Sequence, residues 1–110
     1  SVQFRHDTGI SSFVCELVGT PLDENHFSFW LMSLLQYPEN LYRYKGILAM
    51  KSKHGLGIIK RVLQGVHDMV DMDEGDAWPE GTPIKSQVVL IGKNLNKKKW
   101  TQEFAKCDEQ

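Results

Sequence analysis

Only two stretches of this 110-residue chain repeat their apolar residues at helical spacing; the other apolar residues alternate or run in short blocks. In the first, Phe27, Trp30, Leu31, Leu34 and Leu35 fall at i, i+3, i+4, i+7 and i+8, which gathers them on one side of a helix. Asp23 precedes the stretch with a short carboxylate suited to an N-cap, and Pro38 marks its end. In the second, Trp100, Phe104 and Cys107 share a stripe behind a second cap, Asn96. There Leu95 and Trp100 hold the N′ and N4 positions of a hydrophobic staple. Between the helices lie strand-like segments: Phe13–Val18, Arg43–Lys51, a β-rich region from Gly57 to Met72 with Gly65 as a bulge or kink, and Gln87–Ile91. The order β-α-β-β-β-α predicts an α+β fold, a two-layer sandwich of a mostly antiparallel sheet with both helices on one face. Residues 1–11 are polar and read as an interdomain linker, so the domain proper is expected over 12–110.

The chain is long enough to bury a core without disulfides or a structural metal. Its 41% hydrophobic and 25% charged residues match a globular protein, which excludes disordered and collagen-like classes. A net charge of −1 lacks the basic excess of a dedicated nucleic-acid binder, so no nucleic-acid partner is expected. No apolar run reaches the length of a membrane span, and no signal peptide is visible, so neither a membrane partner nor export is expected. Cys15 sits in a strand-like run and Cys107 at the end of a helical one; both read as free buried thiols, consistent with a cytoplasmic protein.

Several motifs tempt and fail. A phosphate-binding loop needs G-x-x-x-x-G-K-S/T so that backbone N–H groups wrap the phosphates. Here Gln87 stands where the first glycine belongs, and Asn94 follows Lys93, so no nucleotide site is encoded and no catalytic residue is assigned. From Asp71 the acidic stretch resembles a calcium loop, but Asp76 falls where glycine is required and Thr82 where a bidentate Glu is required. A solvated acidic loop over 73–83 is the competing reading. Lys97, Lys98 and Lys99 suggest an anion site at a helix start, against a plain solvated helix face. His6, His26, His54 and His67 do not pair at metal-ligand spacing. His67, beside Asp68 in the β-rich region, is the one metal-ligand candidate, against a hydrogen-bonded surface histidine.

Taken in order, the segments resemble the C-terminal domain of CobW-type GTPases, a family of GTP-dependent metal chaperones. The resemblance is carried by His6-Asp7 leading to Ile10-Ser11-Ser12, and by Leu41 to Leu48, which looks like the family's R-x-K-G followed by apolar residues. It continues through Leu63-Gln64-Gly65-Val66-His67, Trp78-Pro79, and Ser86 to Leu95 with its Ile91-Gly92-Lys93-Asn94-Leu95 end. The glycines have structural reasons: Gly46 and Gly65 admit a close neighbour in a strand, and Gly92 permits a turn into the second helix. The resemblance implies a parent protein with an N-terminal GTPase domain that binds GTP, magnesium and a transition metal, zinc or cobalt, through a phosphate loop and a C-x-C-C motif absent from these 110 residues. It implies a domain with no catalysis or cofactor of its own, whose partners are that GTPase domain and a client metalloprotein. The alternative is a free-standing small α+β binding module for an anion or nucleic acid, using Arg43, Lys45 and Lys97–Lys99.

Alternation assigns the strand faces. Phe13, Cys15 and Leu17 share one side of the first strand, with Val14, Glu16 and Val18 opposite. In the second, Tyr44, Leu48 and Met50 oppose Arg43, Lys45, Ile47, Ala49 and Lys51. Two helices cover one face, which leaves Arg43, Lys45, Ile47 and Ala49 as candidates for an interaction surface.

Overall fold

Six strands and two helices form over the residues that this computed structural model describes, 9–55 and 57–108. They are β1 (Ile10–Val18), α1 (Glu24–Leu34), β2 (Leu41–Lys51), β3 (Ile58–Val66), β4 (Met69–Met72), β5 (Asp76–Ala77), β6 (Lys85–Lys93) and α2 (Lys97–Phe104). The sheet order is β1-β6-β2-β3-β4, with β5 also beside β3, and every strand pair is antiparallel. The α+β sandwich read from the sequence is the fold. The β-rich region resolves into a hairpin, because Val66 pairs Met69 across a two-residue turn of His67 and Asp68. The acidic loop contributes β5, two residues long. Ile10 and Ser11, assigned to the linker by sequence, already pair with Lys93 and Gly92. His6 and Asp7 lie outside the described residues.

Both caps form as their residue types dictate. Asp23 accepts the His26 N–H at 3.1 Å, and Asn96 accepts the Lys99 N–H at 3.1 Å. From these starts, α1 buries Phe27, Trp30, Leu31 and Leu34, and α2 buries Trp100 and Phe104. Trp30 lies 4.9 Å from Phe104 and 6.2 Å from Trp100, ring centre to ring centre, both edge-on, the arrangement aromatic quadrupoles favour. Its indole N–H donates to the Trp100 carbonyl at 3.1 Å, so the buried polar edge is satisfied. Phe13, Cys15 and Leu17 of β1, Leu41, Tyr44, Leu48 and Met50 of β2, Leu63 of β3, and Val88 and Leu90 of β6 complete one continuous core with the helices.

At two glycines one part of the sequence reading fails, although the close neighbour expected at Gly65 is present. Gly65 is not a bulge: it pairs in register with Tyr44 and with Val70. A side chain there would meet the Tyr44 ring at 2.2 Å, so glycine is the seat of that ring. The bulge is in β2, where the register against β6 shifts between Leu41 and Arg43. Gly92 lies inside β6, where a Cβ would sit 2.2 Å from the Asn40 carbonyl oxygen, and the left-handed residue of the turn is Asn94 (φ 57°).

The segment after β1 also had no strand signal. Beyond Ile47, where the pairing of β2 with β6 ends, Leu22 takes over the free side of β2. Its N–H donates to the Ala49 carbonyl at 2.8 Å, and its carbonyl accepts the Lys51 N–H at 3.0 Å. The Ser86 hydroxyl, fully buried, accepts the Ala49 N–H at 2.9 Å. The ladder is thus completed by one serine and one stray residue, and no buried backbone group of Ala49 is wasted.

Candidate docking surface

The two faces of the sheet have unlike cover. Both helices lie over the Phe13–Leu17 side and form one core with it. On the other side the register aligns Val14 with Val89 and Lys45, Ile47 with Val62 and Gln87, and Arg43 with Ile91 and Val66. Met69 and Asp71 extend this face across β4. No helix covers it among the described residues, and its aliphatic residues are open: Val18 is 64% exposed, Met69 67%, Ile47 45% and Val14 44%. Around Arg43 and Lys45 the face is concave, with a hollow of about 650 Å³ bordered by Val66, Met69, Val89 and Ile91.

Arg43 and Lys45 are exposed on this face, and neither makes an ion pair or side-chain hydrogen bond among the described residues. By contrast Glu16 is engaged: Gln87 donates to its carboxylate and Lys85 sits 3.4 Å away. The Gln87 hydrogen bond and then the Lys85 charge hold that carboxyl below its ordinary range. Three of the four candidate surface residues are therefore accessible. Ala49 is not. It belongs to the open side by register, opposite Lys60, yet it is fully buried. A one-carbon side chain flanked by Ile47 and Lys51 along its strand and by Lys60 across it sits beneath their level, and Ala49 leaves the candidate surface.

The sequence matches the family model described as the cobalamin synthesis protein cobW C-terminal domain over residues 10–108. The chain belongs to the CobW C-terminal domain family. Among solved structures, the CobW domain superposes on the zinc-bound YjiA GTPase from E. coli with a TM-score of 0.77 and 28% identity, over 94% of this chain and 31% of that one. A zinc-bound triple mutant of YjiA GTPase gives a TM-score of 0.76 and 29% identity, over 92% of this chain and 30% of that one. The chain thus spans about a third of the length of the GTPases it matches.

The remaining candidates of this CobW domain have ordinary partners. His67 occupies the left-handed first position of the β3–β4 turn (φ 54°). Its Nδ1 lies 2.6 Å from the Pro38 carbonyl oxygen, which only accepts, so Nδ1 carries the proton. The Tyr44 hydroxyl in turn donates to the His67 carbonyl at 2.9 Å. Burial, with the nearby Asp68 carboxylate adding to it, pushes that hydroxyl up and keeps it a neutral donor. His67 is a clasp between the hairpin turn and the end of the α1–β2 connection. No group of three His, Cys, Asp or Glu that could hold a metal forms among the described residues, so His67 stands without co-ligands there.

Cys15 and Cys107 are both free and buried in the core. Burial pushes the Cys15 thiol up to about 12, with Cys107 adding to it, and burial likewise pushes Cys107 up to about 12. Neither is an activated nucleophile, although His26 and Asp23 stand near Cys107, whose Sγ faces the His26 and Glu103 carbonyls. In the acidic loop Asp73 turns inward: its carboxylate accepts the Val62 N–H at 2.9 Å and its carbonyl accepts two N–H groups of Arg61. Asp73 closes the gap between β4 and β5 instead of facing a cation. In α2, Lys99 pairs with Glu103 at 3.0 Å along the helix.

Proposed function

We propose that this domain is the interaction and regulatory part of a CobW-like, GTP-dependent metal chaperone of the cytoplasm. Its parent uses GTP and magnesium in an N-terminal GTPase domain and delivers zinc or cobalt to a client metalloprotein, and the domain itself catalyses nothing. Its helix-free sheet face, through Ile47, Arg43 and Lys45, docks on the GTPase domain.

The observation that carries this reading is the uncovered face itself. An antiparallel sheet open to water on one side ordinarily presents polar residues there. This one presents Val14, Val18, Ile47, Val62, Val66 and Met69 among its charges, all more than a third exposed. Mixed apolar and charged character suits a contact between domains that forms and releases. The kinship with GTPases three times as long supplies a large partner for such a surface. The test is association with a separately produced GTPase domain of the parent. Ile47→Asp is expected to leave the fold intact and weaken association at least tenfold; unchanged association would remove the open face from the reading.

A further inference from the structure

The chain as a whole carries a net charge of −1, but its open face does not share that balance. By register, Arg43, Lys45, Lys51, Lys60, Lys85 and Lys93 lie on this side, against the carboxylates of Glu16, Asp71 and Asp76. Glu16 is engaged by Gln87 and Lys85, Asp71 by Gln64 at 3.5 Å, and Asp76 stands directly across from Lys60, away from Arg43 and Lys45. The two cations at the hollow are not engaged. Arg43 and Lys45 stand two residues apart on one strand face, roughly 7 Å from each other, with no anion paired to either among the described residues.

Aliphatic side chains border the hollow, Val66 and Met69 on one side and Val89 and Ile91 on the other, and Asp71 also lines it, hydrogen-bonded to Gln64 and not paired with Arg43 or Lys45. Exposed cations that lack partners gain most from an anion delivered with enough apolar surface to exclude water around the pair. Nucleic acid would supply the anion, but sequence-tolerant binding of single strands relies on aromatic platforms for the bases. Of the two aromatic residues in this part of β2, Tyr44 borders the hollow but is only 2% exposed, and Tyr42, outside the hollow's lining, packs edge-on against the His67 ring, so neither offers an open platform there. Branched aliphatic and methionine side chains fit leucine, valine or isoleucine instead.

We infer that the segment received by the hollow at Arg43 and Lys45 is an acidic, aliphatic stretch of the parent's GTPase domain. Carboxylates meet the two cations, and apolar side chains fill the space between Met69 and Val89. This rests on the open face being the docking surface, and it adds the chemistry of what docks.

The test has two arms on the 110-residue chain. In the first, the isotope-labelled chain is titrated with a short capped peptide of interspersed Glu, Leu and Val, with the same peptide carrying Lys for Glu, and with oligouridylate of matched charge. The acidic peptide is expected to shift the amides of Arg43, Lys45 and Val89 and the Met69 methyl, and to bind at least tenfold more tightly than either control. In the second arm, R43E together with K45E is expected to weaken both peptide binding and association with the GTPase domain at least tenfold, with the amide spectrum elsewhere retained. Met69→Gln, which leaves the charges in place, is expected to weaken both severalfold. Tighter binding of the RNA, shifts confined to the helices, or indifference to both variants overturns the inference. If the GTPase domain associates and only Ile47→Asp disturbs it, the docking reading stands and the acidic segment is wrong. If no association occurs with the unaltered chain, the docking reading itself fails.

Discussion

The same strands build two faces that differ in everything but spacing. Under the helices, β1 places Phe13, Cys15 and Leu17, each under a tenth exposed, and one residue over it places Val14, Glu16 and Val18 in the open. In β6, Val88 and Leu90 are fully buried while Val89 is 36% exposed. One face meets a stripe of aromatic residues and excludes charge almost entirely. Its one charged side chain, Arg61 opposite Leu48, is in the outer half of the sheet and hands its N–H groups to the Asp73 carbonyl. The other face mixes valines with lysines. The contrast sets a core sealed for stability beside the surface proposed for docking, which is partly apolar yet charged enough to remain hydrated.

The contrast breaks most visibly at its sealed side. Trp30→Ala removes a ring that touches Phe27, Trp100 and Phe104, together with the indole N–H bond to the Trp100 carbonyl, so urea melts are expected to show a loss of about 3–5 kcal/mol. A loss under about 1 kcal/mol would mean that the helices do not seal this face. Gly65→Ala tests the seat of the Tyr44 ring; a methyl group at 2.2 Å forces the ring aside, for an expected cost of about 1–3 kcal/mol. No measurable cost would show that Tyr44 is not held against β3.

The thiols sharpen the comparison through pH. Burial holds both folded-state values at about 12, above the ordinary value of 9.0, so the folded chain keeps protons that the unfolded chain releases. Their contribution to stability is therefore full below about pH 9 and lost as pH rises from there through about 12. The chain with both Cys15→Ala and Cys107→Ala is expected to lose stability less steeply across that window. Identical pH profiles would place the thiols outside the sealed face. The smallest effect is expected on the open side, where Ile47→Asp should change stability by about 1 kcal/mol or less, since the side chain is nearly half exposed.

Much of this contrast is legible in the sequence, because period 3.6 and period 2 write the faces directly. The stripe through Phe27 and Leu34, the caps Asp23 and Asn96, and the alternation of Phe13 to Val18 all form as read. What escaped depends on neighbours distant in the chain. Leu22 completes β2 only because β6 stops pairing at Gln87, and no local pattern announces that. The role of Gly65 is set by Tyr44, twenty-one residues earlier, and the burial of Ala49 by the residues around it. The split into β3 and β4 lacked a glycine signal because His67 itself adopts the left-handed turn position, steadied by the carbonyl of Pro38. Of the surface, charge and alternation located Arg43, Lys45 and Ile47; Met69 and Val66 joined them only once the hairpin folded back across the sheet.

The most direct test of the open face as the docking surface is a map of backbone amide shifts in the labelled chain on addition of the unlabelled GTPase domain. The account predicts that the changes concentrate on β2, β3 and β6 residues of the open side, Lys45, Ile47, Val62 and Val89 foremost, with the α1 amides from Phe27 to Leu34 little moved. Shifts centred on α1 and α2, with Lys45 and Ile47 unchanged, would contradict it.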